Sequence, residues 1–218
     1  MPTSRIPETS QTGLHERLDE VVRRHLDSTW RQPLRAHSVQ AFEAVLPRLQ
    51  STASLVLDSG CGTGESTARL AGRHRESLVV GVDKSAARLE RAPELPANAL
   101  LVRAELADIW RLLLREGLHP FRHFLLYPNP WPKPDHLKRR WHAHPVFPQL
   151  LALGGRLELR SNFELYVREF MRALVLAGVV DAEVVSLEID EPITPFERKY
   201  ADSGHRLWKL TVNLGAGK

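Results

Sequence analysis

Three closely spaced glycines lie between an apolar run and a helix-like segment in the stretch LVLDSGCGTGES. Gly60, Gly62 and Gly64 form the pattern G-x-G-x-G, and glycines at the turn from a strand into a helix let the backbone approach a ligand closely. Asp83 ends the next apolar run about 20 residues later, where an acid commonly accepts both hydroxyls of a ribose. Together these residues predict a turn that binds a nucleoside.

The spacing of the glycines favours a cofactor without phosphate groups. A dinucleotide-binding turn has the pattern G-x-G-x-x-G, whereas here Glu65 directly follows the third glycine. A carboxylate at the start of a helix opposes a pyrophosphate, because both compete for the same backbone N–H donors. S-adenosylmethionine, an adenosine that carries an aminoacyl sulfonium, avoids this conflict. A nicotinamide or flavin dinucleotide and a purely structural glycine turn are the alternatives.

Two further acids complete the predicted cofactor site. Asp58 stands just before the glycines, near the expected position of the cationic amino end of S-adenosylmethionine. Glu105 ends the third apolar run, where we expect the adenine edge. Lys84 and Leu106 each directly follow an acid of this group, and we include both among the predicted cofactor contacts.

The stretch LLYPNPWPKPDHLKRR places a proline-locked corner at the end of another apolar run. Asn129 and Trp131 alternate with prolines that fix the backbone, and α/β sheets bind ligands at the carboxyl ends of their strands. Asn129 is therefore a candidate functional residue, with capping of its own turn as the alternative. Trp131 either stacks on a nucleobase or packs as a core aromatic residue.

Positive charge is concentrated directly after this corner. The net charge of the chain is only +4, so the distribution of the cations matters more than their sum. Basic side chains beside a candidate site are typical of phosphate binding and hence of nucleic-acid binding. A solvated loop face is the alternative. Four cations crowd this segment: Lys133, Lys138, Arg139 and Arg140.

The composition restricts the class of protein. A length of 218 residues suits one α/β domain with a short extension, and 43% hydrophobic residues suffice for a sizeable core. No apolar run approaches the roughly 20 residues of a membrane-spanning helix, and MPTSRIPETSQTG lacks the apolar part of a secretory signal. Cys61 is the only cysteine, which indicates a reducing cytoplasm. The histidines show no zinc spacing, so we expect no metal.

Alternating strand-like and helix-like segments position these residues. Residues 1–13 are polar and expected to be mobile, and helices are predicted over about 14–26 and 37–49. Five strand-like runs then alternate with helices, which predicts a doubly wound, mostly parallel sheet. The glycine turn, the acids and the corner meet at its carboxyl edge.

The last two apolar runs, AEVVSLEI and HRLWKLTVNL, are separated by a proline-bearing loop instead of a long helix. Such a connection predicts an antiparallel hairpin at one edge of the sheet. The predicted architecture is therefore an α/β fold with a seven-stranded sheet. We expect residues 1–50 to form a mobile segment with a helical extension, and residues 51–218 to form the main domain.

The sequence resembles the tRNA (guanine-N7-)-methyltransferase family over roughly residues 53–212. YPNPWPKPDHLKRR is similar to the family's P-D-P-W-x-K motif with its following K-R-R. GGRLELRSNFELYVREF is similar to its fifth strand and next helix, and TPFERKYADSGHRLWKL to its T-x-F-E segment with the later G-H-x-x-W. The resemblance implies a Rossmann-like class I methyltransferase domain that transfers a methyl group from S-adenosylmethionine to N7 of a guanine in tRNA.

The resemblance also implies roles for single residues. The implied cofactor-contacting positions are Asp58, Asp83, Glu105 and Asn129. The implied substrate-side positions are Lys133, Asn162, Thr194, Phe196 and Glu197, together with Arg139 and Arg140 for tRNA phosphates. Asn129 and Lys133 are then the candidate catalytic residues.

Two positions depart from the family pattern. The family usually has Asp where this chain has Asn129 and Asn162. A carboxylate accepts two donors, whereas an amide offers one acceptor and one donor. Guanine N7 has a free lone pair, so methyl transfer to it requires orientation rather than proton removal. Two alternatives therefore stay open: a related methyltransferase for another nucleobase or a small molecule, and an RNA-binding protein without catalysis.

Overall fold

A seven-stranded sheet forms the centre of the computed structural model, which describes residues 4–215. The strands are β1 Leu55–Ser59, β2 Leu78–Asp83, β3 Ala99–Arg103, β4 Arg122–Leu126, β5 Arg156–Ser161, β6 Glu183–Leu187 and β7 Leu207–Asn213. They lie in the order β3-β2-β1-β4-β5-β7-β6. Strands β1 to β5 pair in parallel, and β7 lies antiparallel between β5 and β6. The predicted mostly parallel sheet with an antiparallel edge hairpin is confirmed.

The strand order reverses between β1 and β4, and this reversal creates the crevice of the fold. From β1 the chain moves outward through β2 to β3, then returns to place β4 on the other side of β1. Every residue of β1 and β2 is buried, as expected for central parallel strands covered on both faces. At such a reversal the connections leave in opposite directions, so a crevice opens at the carboxyl ends of the two strands.

Helices flank the sheet. In the described part of the chain they are α1 Leu18–Leu26, α2 Ala36–Ser51, α3 Glu65–Arg73, α4 Ala86–Leu89, α5 Leu106–Arg115, α6 Phe147–Ala152, α7 Glu164–Leu176 and α8 Pro195–Asp202, with 3-10 helices at Pro134–Arg139 and Trp141–Ala143. None of the helices within residues 4–215 combines the length and apolarity that crossing a membrane requires.

Helix α8 lies where the sequence predicted only a loop, and that prediction was wrong. The Thr194 side chain accepts the backbone N–H of Glu197 at 2.9 Å, and Pro195 occupies the first helical position. Both features are favourable at a helix N-terminus. The T-P-F-E sequence carried this capping signal, but the prolines around it suggested a loop.

The two N-terminal helices pack on the sheet. Leu18 and Val21 of α1 and Phe42 of α2 are each 1% exposed and belong to the same core cluster as residues of β1, β2 and α7. The helical part of the predicted extension therefore shares its core with the rest of the chain. The division into residues 1–50 and 51–218 stays a proposal about chain organisation.

Helix α3 approaches β2 closely because position 81 carries no side chain. A Cβ atom on Gly81 would overlap Thr67 Oγ1 of α3 and lie 2.8 Å from Leu101 Cδ2 and 3.1 Å from Cys61 Cβ. Helix α3 starts directly after the glycine turn, so its distance from the sheet also sets the position of that turn.

Gly81→Ala is expected to lower the free energy of unfolding by about 1–3 kcal/mol, the cost of overpacking a closely packed interior. Urea unfolding measures this change. Gly72→Ala is the matched control, because a Cβ there meets nothing within 4 Å; it should be neutral or stabilising by up to about 1 kcal/mol. Equal unfolding midpoints for both variants would show that Gly81 does not set the position of α3.

Candidate active site

The glycine turn lies at the carboxyl end of β1 with a left-handed backbone at each glycine. The φ angles are 82° at Gly60, 60° at Gly62 and 76° at Gly64, a region that other residues adopt only at a cost. The backbone N–H groups of Gly60 and Cys61 donate to the carbonyl of Val82 at 2.8 and 3.0 Å, which holds the turn against the end of β2. A Cβ at Gly62 would meet nothing within 4 Å, so this glycine adjoins open space.

Asp83 holds the glycine turn from the neighbouring strand. The residue is 5% exposed, and its Oδ2 accepts the backbone N–H of Gly62 at 3.1 Å. Its Oδ1 accepts the backbone N–H of Ser85 at 2.8 Å, and the Arg88 guanidinium lies 3.5 Å from Oδ2. Because a carboxylate oxygen carries two lone pairs, Oδ1 can accept a further donor. The acid is thus fixed in place beside the turn.

Asp58 is a fully buried acid at the base of the turn. Its Oδ2 accepts the hydroxyls of Ser66 at 2.6 Å and Thr67 at 2.8 Å, while its Oδ1 has no hydrogen-bond partner in the described chain. Burial raises the pKa of Asp58 to about 6, although the two hydroxyl donors lower it. A buried carboxylate oxygen without a partner is a site for a donor or a cation from a ligand.

The other predicted cofactor residues lie around the same crevice. Leu106 Cδ1 is 3.8 Å from the position that a Cβ on Gly60 would take, so this apolar side chain lies beside the turn. Glu105 precedes α5, and its backbone N–H donates to Ser38 Oγ of α2 at 3.2 Å. Its side chain is half-buried, whereas Lys84 is exposed.

The corner after β4 has a strained backbone. Tyr127 has a φ of 50° and Trp131 a φ of 45°, and they are the only non-glycine residues with positive φ among residues 4–215. The left-handed conformation costs a bulky residue roughly 1–2 kcal/mol, and such strain is common at functional sites. Asn129 is exposed, and its Oδ1 accepts the backbone N–H of Trp131 at 3.2 Å. Asn129 therefore caps its own turn, as the alternative interpretation proposed.

The Trp131 ring is held between two side chains of the segment that follows it. The Arg139 guanidinium carbon lies 4.8 Å from the ring centroid, and the His136 ring packs edge-on at 5.3 Å. A guanidinium over an indole face is a favourable cation–π contact. The Trp131 side chain is half-buried, and Lys133 and Lys138 of the same segment are exposed. The corner thus carries an aromatic group in contact with a surface cation, within a basic segment.

Arg140 does not belong to this surface, so its predicted contact with tRNA phosphate was wrong. It is 0% exposed and forms an ion pair with Glu169 of α7, which is also 0% exposed. Its Nη2 donates to Gln11 Oε1 at 2.6 Å, and its Nε donates to the carbonyl of Trp131 at 3.1 Å. The buried acid on α7 turns the guanidinium inward, because an unpaired charge at that position would be costly.

Glu197 is also fully buried and connects α8 to the corner. Its Oε1 accepts the Tyr127 hydroxyl and Arg160 Nη1, each at 2.8 Å. Its Oε2 accepts the backbone N–H of Ile193 at 2.7 Å. Burial and the neighbouring Glu197 carboxylate raise the pKa of Tyr127 far above its ordinary value, so the phenol stays protonated and donates. Glu197 was predicted to contact the substrate. In the structure its hydrogen bonds instead hold the segments around the site in place.

Asn162 directly follows β5, and its side chain contacts the segment between α8 and β7. It is 8% exposed, and its Nδ2 lies 3.1 Å from His205 Nδ1. The backbone N–H of Phe163, directly before α7, donates to Ser161 Oγ at 3.0 Å. Phe196 of α8 remains 46% exposed.

The fold brings most of the predicted residues to one edge of the sheet. On the glycine side lie Asp58, Gly60, Gly62, Gly64, Asp83, Lys84, Glu105 and Leu106; on the corner side lie Asn129, Lys133, Arg139, Asn162, Thr194, Phe196 and Glu197. The sequence interpretation missed Tyr127, Arg160 and His205. Their contacts with Glu197 and Asn162 join residues far apart along the chain and leave no local signal. Within the described residues, no three His, Cys, Asp or Glu side chains are grouped to hold a metal ion.

Comparison with known proteins identifies similar sequences. The family model Methyltransf_4, described as "Putative methyltransferase", matches residues 52–210. The chain is 27% identical over 229 residues to the tRNA (guanine-N(7)-)-methyltransferase of Cupriavidus necator, covering 95% of this chain and 80% of that protein. It is 28% identical over 217 residues to the protein of the same name from Pseudomonas aeruginosa, covering 89% and 84%.

Solved structures show the same fold. The 16S rRNA methyltransferase KamB has a TM-score of 0.59 at 17% identity and covers 84% of this chain and 95% of its own. A variant of the 16S rRNA (adenine(1408)-N(1))-methyltransferase from Catenulisporales acidiphilia, with cosubstrate SAM, has a TM-score of 0.54 at 19% identity, covering 78% and 88%. At these identities the likeness concerns the arrangement of sheet and helices.

The raised pKa of Asp58 predicts that the free energy of unfolding depends on pH. Its folded pKa of about 6 lies above the ordinary value of 3.8, so the folded state keeps a proton that the unfolded state releases. The resulting stabilisation is fully present below the unfolded pKa and is lost as the pH rises through about 6.

Asp58→Asn removes this titration. Between about pH 4 and pH 7 the unfolding free energy of wild type should therefore fall relative to that of the variant by roughly 2 kcal/mol. Urea unfolding of both proteins without added ligand measures the difference, with the exposed Asp135→Asn as control. Stability profiles that run parallel across this range would contradict the raised pKa.

Proposed function

The chain belongs to the methyltransferase family whose model it matches, and from this premise we propose that it is an S-adenosylmethionine-dependent enzyme that methylates N7 of a guanine in tRNA. Relatives named tRNA (guanine-N(7)-)-methyltransferase support the substrate and agree with the resemblance that the motifs indicated. The observation that carries the proposal is the meeting of two surfaces at one crevice: an acid-lined glycine turn and a basic aromatic corner. A tRNA substrate and the single, buried Cys61 fit a reducing cytoplasm.

The residues around the glycine turn fit S-adenosylmethionine. The Asp83 carboxylate is fixed at the turn with a lone pair available for the ribose hydroxyls. The unpartnered Oδ1 of Asp58 suits the positive amino end. Glu65 at the start of α3 disfavours a phosphate there. When bound, this cofactor supplies an electrophilic methyl group on a sulfonium.

The corner can orient a ring nitrogen as the methyl acceptor. Asn129 Oδ1 accepts the backbone N–H of Trp131 at 3.2 Å. Because that N–H can only donate, the orientation of the Asn129 amide is fixed, and its Nδ2–H2 group is the donor that remains. Guanine presents two acceptors on its N7 and O6 edge. An amide donor beside this edge orients the base without removing a proton.

The surface around the corner suits an RNA backbone. Lys133, Lys138 and Arg139 are exposed in one short segment. The exposed Phe196 ring of α8 stacks on Tyr200, which packs against Tyr127 at the start of the corner. Cations of this kind bind phosphates and make affinity dependent on salt. Aromatic rings stack on exposed bases. We assign the substrate side of the crevice to these residues, with Lys133 and Asn129 closest to the reacting base.

The direct test uses purified protein, a labelled methyl donor and tRNA that lacks the modification. We expect incorporation at N7 of guanine, identified by mass spectrometry of the digested nucleosides. Label on adenine or cytosine would move the substrate to another nucleobase. Cofactor binding without transfer to any tRNA would overturn the substrate assignment while leaving the cofactor assignment in place.

Asp83→Ala tests the cofactor side independently of the substrate. Losing hydrogen bonds from the ribose hydroxyls to a carboxylate should weaken S-adenosylmethionine binding about 30-fold or more, since such bonds contribute roughly 1.5–3 kcal/mol each. Isothermal titration calorimetry measures the affinity. Glu90→Ala, an exposed acid directly after α4, is the control and should bind like wild type. Equal affinities for both variants would remove Asp83 from the cofactor site.

A further inference from the structure

The N-terminal segment runs across the substrate side of the molecule before the first helix begins. We call residues 4–15 the strap. At its start the backbone N–H of Ser4 donates to Ser203 Oγ at 3.0 Å, and the carbonyl of Ser4 lies 2.9 Å from His205 Nε2. Farther along, the Thr9 hydroxyl donates to the carbonyl of Pro132 at 2.7 Å. The strap therefore connects the segment after α8 with the corner.

The strap also completes the buried ion pair behind the corner. Gln11 Oε1 accepts Arg140 Nη2 at 2.6 Å, and Gln11 Nε2 donates to Glu169 Oε1 at 3.1 Å. The backbone N–H of His15 donates to the same Glu169 oxygen at 2.9 Å. On the far side, His142 Nε2 lies 3.1 Å from Glu169 Oε2. A buried charge pair needs such additional hydrogen bonds to satisfy its remaining polar atoms.

Three consecutive carbonyl groups of the corner are held from behind by this assembly. The Trp131 carbonyl accepts Arg140 Nε at 3.1 Å, and the Lys133 carbonyl accepts Arg140 Nη2 at 3.4 Å. The carbonyl between them, on Pro132, accepts the Thr9 hydroxyl. Because Pro132 has no N–H, its carbonyl is the only backbone group at this position that can form a hydrogen bond.

The corner requires such support because its backbone is strained. Trp131 has a left-handed φ of 45°, a conformation that persists only where surrounding contacts impose it. The same short segment carries Asn129 and Lys133, which face the methyl acceptor in the proposed function. Small displacements of a positioning segment lower transfer rates strongly, since reacting atoms must be closely aligned.

We propose that the strap positions the corner for methyl transfer, with Thr9 and Gln11 as positioning residues that act through the Pro132 carbonyl and Arg140. This inference rests on the proposed function. It assigns to the N-terminal segment a role in the rate of transfer, although none of its residues needs to touch the cofactor.

Thr9→Val tests the proposal with little change in shape, because it replaces the hydroxyl by a methyl group. We expect kcat for tRNA methylation to fall about tenfold. The variant loses both hydrogen bonds of the Thr9 hydroxyl, which donates to the Pro132 carbonyl and accepts the backbone N–H of Gln11. S-adenosylmethionine affinity and thermal midpoint should stay close to wild type. Thr9→Ser, which keeps the hydroxyl, should restore kcat. Thr12→Val is the control, since Thr12 is exposed in the same strap and has no hydrogen bond in the described structure.

The outcomes separate this inference from the proposed function. If wild type methylates tRNA and Thr9→Val matches it in kcat, the strap has no positioning role and the proposed function stands. If wild type methylates no tRNA, hydrogen exchange of the peptide covering residues 129–139 decides the matter. Faster exchange in Thr9→Val than in Thr12→Val supports the strap as the support of the corner, and identical exchange in both overturns it.

Discussion

The reversal of strand order between β1 and β4 is the constraint on which the site depends. In the register of these two strands Asp58 pairs with Phe124, so the glycine turn after β1 and the corner after β4 emerge next to each other. Neither segment forms a site by itself. Parallel pairing aligns the carboxyl ends of the strands, and the reversal sends their connections apart, which leaves the crevice between them.

The two sides of the crevice are built on different physical principles. On the glycine side, backbone N–H groups and absent side chains shape the surface, and Asp83 fixes the turn through Gly62. On the corner side, ion pairs to buried acids carry the structure: Arg140 with Glu169, and Arg160 with Glu197. Some charged residues of the sequence motifs therefore hold the backbone in place, and exposed neighbours such as Lys133 and Arg139 depend on this support.

The sequence predicted the sheet, its hairpin edge and the position of the crevice, because periodic apolar runs and glycine turns are local signals. It did not predict which charged residues of the motifs are buried. Arg139 and Arg140 are adjacent and chemically identical, yet one stacks on Trp131 at the surface and the other is fully buried. Arg140 is buried because it pairs with Glu169. Glu169 lies on α7 and reaches Arg140 only when this helix packs in the fold. Helix α8 was missed for another reason, since the prolines around T-P-F-E obscured its capping signal.

A proline-rich corner explains why a buried arginine is found behind it. Pro128, Pro130, Pro132 and Pro134 lack backbone N–H groups, so the corner has few internal donors for its own carbonyls. One local donor is the backbone N–H of His136, which donates to the Lys133 carbonyl at 3.0 Å. The other donors come from elsewhere, and a guanidinium offers five N–H groups in a rigid, planar arrangement. Arg140 supplies two of these carbonyl contacts and Thr9 a third. The charge of Arg140 in turn requires Glu169. The rigidity that prolines give to the corner thus creates the need for a distant ion pair, and that pair draws the N-terminal segment into the site.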